Sequence, residues 1–509
     1  MKHNKKNIAP ALIAWLLLLS PCLLEGVHAK SLGLWLLAAV LWAPLLLLLL
    51  RPVRWLVVPA VWLLGLVNVV HVGFFGYLAD QFFLATALRT TPSETWEFVH
   101  TLPTLTVVMA LLWLLGSGWL GWMLLRWPAQ SLRRSPLLRV ACIASALVWG
   151  GFALYGAKKG YDGWGYLNKL DRVYPLHIVK AYLLHRQINA ALFYSPQLPV
   201  PPSQPAPVQT LVVVIGESAS AQRWSLLGYD GGDTNAPLRD ISGIEAIRVM
   251  AQGSNTAAAL PFMLTGLSAN DSVQQQAPSF LDVAQQAGFK TFVLTNSRFF
   301  DSQEDFFVQT LRRSADVYTK VGDGGDDDAL TEPLRRALQD PATHKLVVLH
   351  TFGSHPDVKH RYPADYAALE DAYDNSLHYS SALLAKWTQL LDQSSRPGSP
   401  SLLVYSSDHG LVLPPCSEGY RTGLSRSTLE VPLLVWRNPA LAATAEAAGM
   451  PRFSAQERET PLHGNSMVAQ LVRWGVGDGI APLHHAPQAL QFQGRDWQAI
   501  ATADRCSLE

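Results

Sequence analysis

Hydrophobic positions are spread unevenly along the chain. Before residue 160, five apolar runs follow one another, at 8–24, 32–50, 55–78, 105–125 and 137–155. Each is about long enough to cross, as a helix, a hydrocarbon core roughly 30 Å thick. After residue 209 the pattern changes to short runs of Val, Leu and Ile, at 210–215, 291–294, 345–349, 402–405 and 431–436. These runs are nearly continuous rather than alternating, as strands of a parallel sheet covered by helices on both faces read. The intervals between them leave room for crossover helices, such as 279–287 and 369–391. The pattern predicts a bundle of five transmembrane helices over 1–157. An amphipathic segment and linker follow over 158–209, then a doubly wound α/β domain over 210–509.

A cleaved signal peptide would account for the first run alone, and four more runs follow it, so it reads as a span. Basic residues set the orientation. Lys2, Lys5 and Lys6 precede the first run, Arg51 and Arg54 separate the second from the third, and Arg126, Arg133, Arg134 and Arg139 separate the fourth from the fifth. These loops share one side, which the positive-inside rule makes cytoplasmic; only Lys158 and Lys159 stand against it. Five spans then place everything after residue 157 outside. Tyr161, Trp164, Tyr166 and Tyr174 suit a membrane interface. The Pro-rich stretch 199–207 reads as a stiff, extended linker.

Composition changes this picture little. The hydrophobic share of 49% averages two unlike halves, and a net charge of +1 offers no electrostatic footprint for nucleic acid. Of the four cysteines, Cys22 and Cys142 fall in apolar runs, whereas Cys416 and Cys506 lie in the outer half, where a disulfide can persist.

Candidate chemistry gathers at strand ends. Gly216-Glu217-Ser218 follows the first strand, Asn296-Ser297 the second, His350 and then His355 the third, and Ser407-Asp408-His409 the fourth. Open α/β sheets bind ligands just outside the carboxyl ends of their strands. Glu217, Asp408 and His409 offer two carboxylates and an imidazole, a set suited to zinc or another divalent ion. A hydroxyl bound to such an ion becomes a better nucleophile. The stretch Gly253-Ser254-Asn255-Thr256-Ala-Ala-Ala-Leu-Pro261 looks like a helix start. Spacing alone favours an N-cap role for Ser254 or Thr256 and does not choose a nucleophile between them. His355 is placed to contact a phosphate or protonate a leaving group, or is a plain surface-loop histidine.

Taken together, these motifs resemble the membrane-bound phosphoethanolamine transferases of the alkaline phosphatase and sulfatase superfamily. The resemblance rests on Val-Val-Ile-Gly-Glu217-Ser-Ala-Ser, Leu-Leu-Gly-Tyr-Asp230 with Thr234-Asn-Ala-Pro237, and Gly-Ser-Asn-Thr256-Ala-Ala-Ala-Leu-Pro. It continues in His-Thr-Phe-Gly-Ser-His355, Arg361-Tyr-Pro363, Tyr373-Asp-Asn-Ser376 and Ser-Asp408-His409-Gly. It implies that Thr256 is the nucleophile and that Glu217, Thr256, Asp408 and His409 hold zinc, with one or two ions and manganese as the alternative metal. His355 then contacts the phosphate or a second zinc. It further implies a bacterial inner-membrane protein with a periplasmic catalytic domain. Such an enzyme moves phosphoethanolamine from phosphatidylethanolamine to lipopolysaccharide, in its core or lipid A, or to another envelope glycan. The rivals are a phosphoglycerol transferase of the same superfamily, a sulfatase and a non-catalytic membrane scaffold. No cysteine or serine stands in the C/S-x-P-x-R setting that a sulfatase requires.

The chain departs from the family pattern in two places. Gln252 and Phe262 stand where a disulfide often brackets the nucleophile. Residues 411–430 lack the further histidine of the lipid A enzymes and carry Arg421 and Arg426 instead, as phosphate-contact candidates; His463, beyond the last strand, is assigned no role.

Overall fold

The structure is a computed structural model. It describes residues 8–161 and 173–190 with short gaps, and 204–478 apart from 268–276, 298–305 and a few short stretches. Trp164, Tyr166, the start of the Pro-rich stretch, Lys2, Lys5, Lys6 and Cys506 lie outside the described residues. The chain divides into two compact units, one of residues 1–88 with 102–186, the other of 89–101 with 187–509.

In the second unit, among the described residues, seven strands form one sheet: β1 (Thr210–Gly216), β2 (Ile244–Met250), β3 (Lys290–Thr295), β4 (Val317–Lys320), β5 (Lys345–His350), β6 (Ser401–Ser407) and β7 (Glu430–Arg437). Their order is β2-β7-β6-β1-β5-β3-β4. The continuous apolar runs have the expected cause. In β1, Leu211, Val213 and Ile215 enter the core on one face, while Val212 and Val214 enter the core on the other. In β6, Leu402 and Val404 separate in the same way from Leu403 and Tyr405. Each such side chain contributes about 1.5–3 kcal/mol by leaving water.

The helices covering these faces begin on capping residues. Ser279 caps Phe280–Gln286 through a capping box with Asp282. Asp371 accepts from the backbone N–H groups of Tyr373 and Asp374 at the start of Ala372–Ser394. From that second helix Tyr373, Leu377, Leu384, Trp387 and Leu391 are buried at helical spacing.

The sheet corrects the sequence reading in two respects. It is mixed rather than wholly parallel: β7 runs antiparallel to β6, and β2 antiparallel to β7. Between β6 and β7 the only helix among the described residues is Arg426–Leu429, four residues long. Without a crossover helix to carry it to the other end of the sheet, the chain turns back beside β6. The second correction is that β2 and β4 escaped the search for apolar runs. Glu245 and Arg248 interrupt β2, and β4 is a half-buried four-residue strand.

In the first unit, among the described residues, three helices are long and apolar enough to cross a membrane: Val53–Phe74, Thr104–Arg126 and Pro136–Lys159. Runs one and two hold shorter apolar helices among the described residues, Ala9–Leu18 and Ser31–Leu45. Run one breaks into a 3-10 turn, Ser20–Leu23, that contains Pro21, and Pro44 stands at the break in run two. Leu56, Leu115, Leu147 and Leu154 project outward from the three long helices, an arrangement that suits a hydrocarbon solvent. Two buried polar side chains in this unit are bonded to backbone carbonyls within it. Arg54 donates to the Trp127 carbonyl at 3.1 Å, and Ser145 to the Leu41 carbonyl at 2.9 Å.

Candidate metal centre

The end of β1 is built for close approach. A Cβ at Gly216 would lie 2.6 Å from the Tyr405 ring. Glu217 follows, buried, and then Ser218 at φ +60°. That left-handed conformation is unfavourable for a serine and persists because its neighbours fix it. The Tyr373 hydroxyl donates to the Ser218 carbonyl and accepts from the Ser220 N–H, both at 2.7 Å. The Ser218 hydroxyl donates to Glu217 Oε1 at 2.6 Å. At the end of β6 the Asp408 N–H donates to the Gly216 carbonyl, 3.1 Å away, which extends the ladder and brings the two strand ends together.

Glu217, Asp408 and His409 are all buried, and their ligand atoms lie within 4.8 Å of one another. His409 Nε2 is 3.2 Å from Glu217 Oε1 and 3.6 Å from Asp408 Oδ2. Thr256 opens the helix Thr256–Thr265, and its hydroxyl donates to Glu217 Oε2 at 3.0 Å, with His409 Nε2 at 3.5 Å. The expected helix start is therefore present, but neither candidate hydroxyl caps it. Asn255, in extended conformation, is the N-cap and accepts from the Ala258 N–H at 3.0 Å. With Asn255 holding that N–H, the Thr256 side chain turns to the acids, while the buried Ser254 hydroxyl has no partner among the described residues.

The electrostatics are those of a cluster short of positive charge. Burial pushes Asp408 up to about 7, helped by the charge of Glu217. Burial works against the His409 imidazolium, yet Asp408 and Glu217 overrule it and raise that group to about 9. Burial would also raise Glu217, but His409, His355 and the Ser218 hydroxyl hold it well below the usual carboxylate range.

Three observations test whether this donor set fits a divalent ion. Asp408 Oδ2 is buried without a hydrogen-bond partner among the described residues. His409 Nδ1 lies 2.7 Å from the Gly410 carbonyl, which turns Nε2 toward the carboxylates, where a metal ion replacing its proton would meet the lone pair. Two carboxylates, one imidazole and an adjacent hydroxyl are the oxygen and nitrogen ligands of a zinc site with one exchangeable position. The set fits.

His355 stands in the loop after β5, beside this group rather than in it. Its ring stacks on Phe352 with centroids 4.7 Å apart, and burial lowers its pKa to about 4. The loop is pinned to Glu217: the Ser354 N–H donates to the Glu217 carbonyl at 2.9 Å, and a Cβ at Gly353 would lie 2.6 Å from that oxygen. Arg361 donates to the His355 carbonyl at 3.2 Å and lies over the Phe352 ring. His350, at the end of β5, faces the Thr295 hydroxyl at 3.2 Å instead.

Asp327 was missed in the sequence. It is buried and accepts from the Phe352 and Gly353 N–H groups and from Asn296, each at 2.8 Å. It ties the end of β3 to the His355 loop, yet in the run Asp326-Asp327-Asp328 it reads as a solvated charge. The other departures also find places. Arg426 pairs with Glu430 at 2.6 Å, and Arg421 donates to the Thr422 carbonyl. His463 faces Glu457 at 2.8 Å, and Gln252 donates to the Leu267 carbonyl at 3.0 Å. Cys416 is disulfide-bonded, while the Cys22 thiol donates to the Leu19 carbonyl at 3.2 Å.

Curated proteins share this region. The putative transferase YhbX of Escherichia coli (strain K12) is 31% identical over 248 residues, which cover 46% of this chain and 44% of YhbX. The phosphoethanolamine transferase EptC of Escherichia coli O18:K1:H7 is 26% identical over 277 residues, 46% of each protein. The chain thus spans about half the length of these relatives. Among solved structures, the integral membrane lipooligosaccharide phosphoethanolamine transferase A of Neisseria meningitidis has the same fold over 92% of this chain and 95% of its own, at 18% identity and a TM-score of 0.64. The periplasmic domain of Escherichia coli EptC, solved in complex with zinc, matches 61% of this chain over its whole length, at 20% identity and a TM-score of 0.51. The sulfatase family model matches residues 209–475, more than half of the chain and the whole of the sheet and centre described above, so the chain belongs to the sulfatase family and resembles those of its members named phosphoethanolamine transferases.

Proposed function

We propose that the chain transfers phosphoethanolamine from phosphatidylethanolamine to lipopolysaccharide or another envelope glycan through a covalent intermediate on Thr256. The observation that carries this reading is the Thr256 hydroxyl, set between Glu217 and His409 at the start of a helix. Glu217, Asp408 and His409, with Thr256, would hold zinc, which lowers the pKa of a bound hydroxyl and offsets charge on phosphoryl oxygens. Glu217 accepts the hydrogen bond of the Thr256 hydroxyl and orients its oxygen. That oxygen forms a bond to phosphorus, the phosphorus–diacylglycerol bond breaks, and diacylglycerol leaves with a proton. In the second step an acceptor hydroxyl or phosphate forms the new bond to phosphorus and Thr256 recovers its proton. His355 enters the cycle neutral, because burial keeps its pKa low, and so donates an N–H to the phosphoryl group. The half-buried helix N-terminus at Thr256 adds backbone N–H groups favourable to an anion.

The reading includes the membrane arrangement of the sequence analysis: five spans, an inner-membrane location and a periplasmic catalytic domain over 210–509. The apolar helices of the first unit support it by giving a lipid donor somewhere to approach from.

Mass spectrometry of the purified protein after incubation with phosphatidylethanolamine tests it. The peptide containing Thr256 should gain a phosphoethanolamine group, and Thr256→Ala should fold, bind zinc and gain nothing. A glycerophosphate adduct would indicate a phosphoglycerol transferase, and transfer by Thr256→Ala would refute the intermediate.

A further inference from the structure

The second unit carries another cavity, of about 720 Å³, lined by none of Glu217, Thr256, His355, Asp408 or His409. Small-molecule sites commonly occupy roughly 300–1,000 Å³. The cavity stands one backbone layer behind the candidate metal centre. Ser427 is in its wall, and a Cβ at Gly410, the neighbour of His409, would lie 2.3 Å from the Ser427 carbonyl oxygen.

Its wall is polar, and its charges are already matched. Glu430, buried, accepts from Arg426 at 2.6 Å and from Gln222 at 3.2 Å, and faces Arg248 at 3.7 Å. Arg223 bonds Asp374 at 3.1 Å and the Tyr229 hydroxyl at 2.6 Å. At the rim stand the exposed carboxylates of Asp230 and Glu459. This balance leaves little net attraction for a free anion. Ion pairing uses only part of the five N–H donors of each guanidinium, and the rim carboxylates add acceptors. Pro414, Pro415 and Tyr229 supply flat apolar faces among these groups. Planar donors and acceptors interleaved with flat apolar faces match a pyranose, which carries hydroxyls at its edge and C–H groups on its faces.

We infer that this cavity binds a neutral saccharide ring of the acceptor. Only the word acceptor rests on the transferase reading; occupancy of the cavity by a saccharide does not.

The test uses the full-length Thr256→Ala protein, which is expected not to turn over, in a detergent without a sugar headgroup. Saturation-transfer NMR is run with a panel of neutral gluco-, galacto- and heptopyranosides and maltotriose, with inorganic phosphate and glucose 6-phosphate as competitors. At least one neutral saccharide should receive saturation. Asp230→Ala and Glu459→Ala, which alter exposed carboxylates only, should each weaken that binding about tenfold, the loss expected for a hydrogen bond to a charged group. Phosphate should not displace the sugar. No transfer to any neutral saccharide would overturn the inference. So would binding that both variants leave unchanged, or displacement by phosphate, which would mark an anion site. Saccharide binding that persists where wild-type protein forms no Thr256 adduct would refute the reaction and leave the cavity assignment standing.

Discussion

Tyr373→Phe removes a single oxygen, but that oxygen is the clasp of the Ser218 turn. In the native protein it donates to the Ser218 carbonyl and accepts from the Ser220 N–H, both at 2.7 Å and both buried. Phenylalanine fills the same space and leaves two buried backbone groups without a partner. Each such group costs about 1–3 kcal/mol, so the variant should be less stable by roughly 2–5 kcal/mol in urea unfolding. The effect should also reach the metal. Ser218 sits at φ +60°, and its hydroxyl holds Glu217 Oε1. Freed from the clasp, Ser218 relaxes toward an ordinary conformation and Glu217 turns with it. Loss of a group that orients a ligand typically lowers metal affinity about 10–100-fold. Competition against a chromophoric chelator reads zinc affinity directly, under native conditions where the variant stays folded. If Tyr373→Phe binds zinc within twofold of wild type, the turn does not depend on the clasp and the reasoning fails.

Asp408→Asn should abolish the rise in Tm on adding zinc, yet leave the chelated protein as stable as wild type or more so, because it removes a charge that burial disfavours; differential scanning calorimetry with and without zinc decides this. The same two groups predict a pH profile for the chelated protein. Asp408 is raised to about 7 and His409 to about 9, so the folded state holds protons that the unfolded state has released. Their contribution is complete below the unfolded carboxylate pKa of about 4 and is lost as pH rises through about 7 and then about 9. Urea midpoints in chelator should therefore fall with pH over that window, whereas zinc affinity should rise as the competing protons leave, and a flat profile in both would contradict the charge assignment. Asp327→Ala should leave zinc affinity near wild type but slow formation of the Thr256 adduct by about tenfold or more, since it frees the Phe352 and Gly353 N–H groups that hold the His355 loop; rapid-quench measurement of adduct formation tests it.

Much of the site was legible because the chemistry interrupts a pattern. Glu217 and Asp408-His409 each end a run of residues buried on both faces of the sheet, a position where a charge needs a specific partner. Thr256 was legible as one of two hydroxyls at a helix start; Asn255 was not recognised as the cap, because one step of chain decides which side chain meets the free N–H groups. Asp327 was invisible because its partners are backbone N–H groups of a loop distant in sequence, and no local pattern marks such an acceptor. The direction of β7 was hidden for a similar reason. An apolar run says that a strand is buried, whereas its direction depends on how the intervening residues return. In the membrane unit, hydropathy found the apolar segments, while the local breaks at Pro21 and Pro44 left no mark in an average over each run.

The antiparallel return of β7 has an evolutionary corollary. Because the chain leaves β6 and re-enters beside it at the same edge, residues 409–429 form a closed excursion rather than a crossover. Its neck is stapled where the Gly410 N–H meets the Thr428 carbonyl at 2.7 Å. Lengthening a loop closed in this way costs only about 0.6 kcal/mol per doubling. Asp408 and His409 sit at the neck, and the cavity-lining residues Leu413 to Cys416 lie further along the excursion. The exposed tip around Pro414, Pro415 and Gly419 can therefore change in length while Leu411 and Leu413 stay packed in the core and the machinery at the base stays in register.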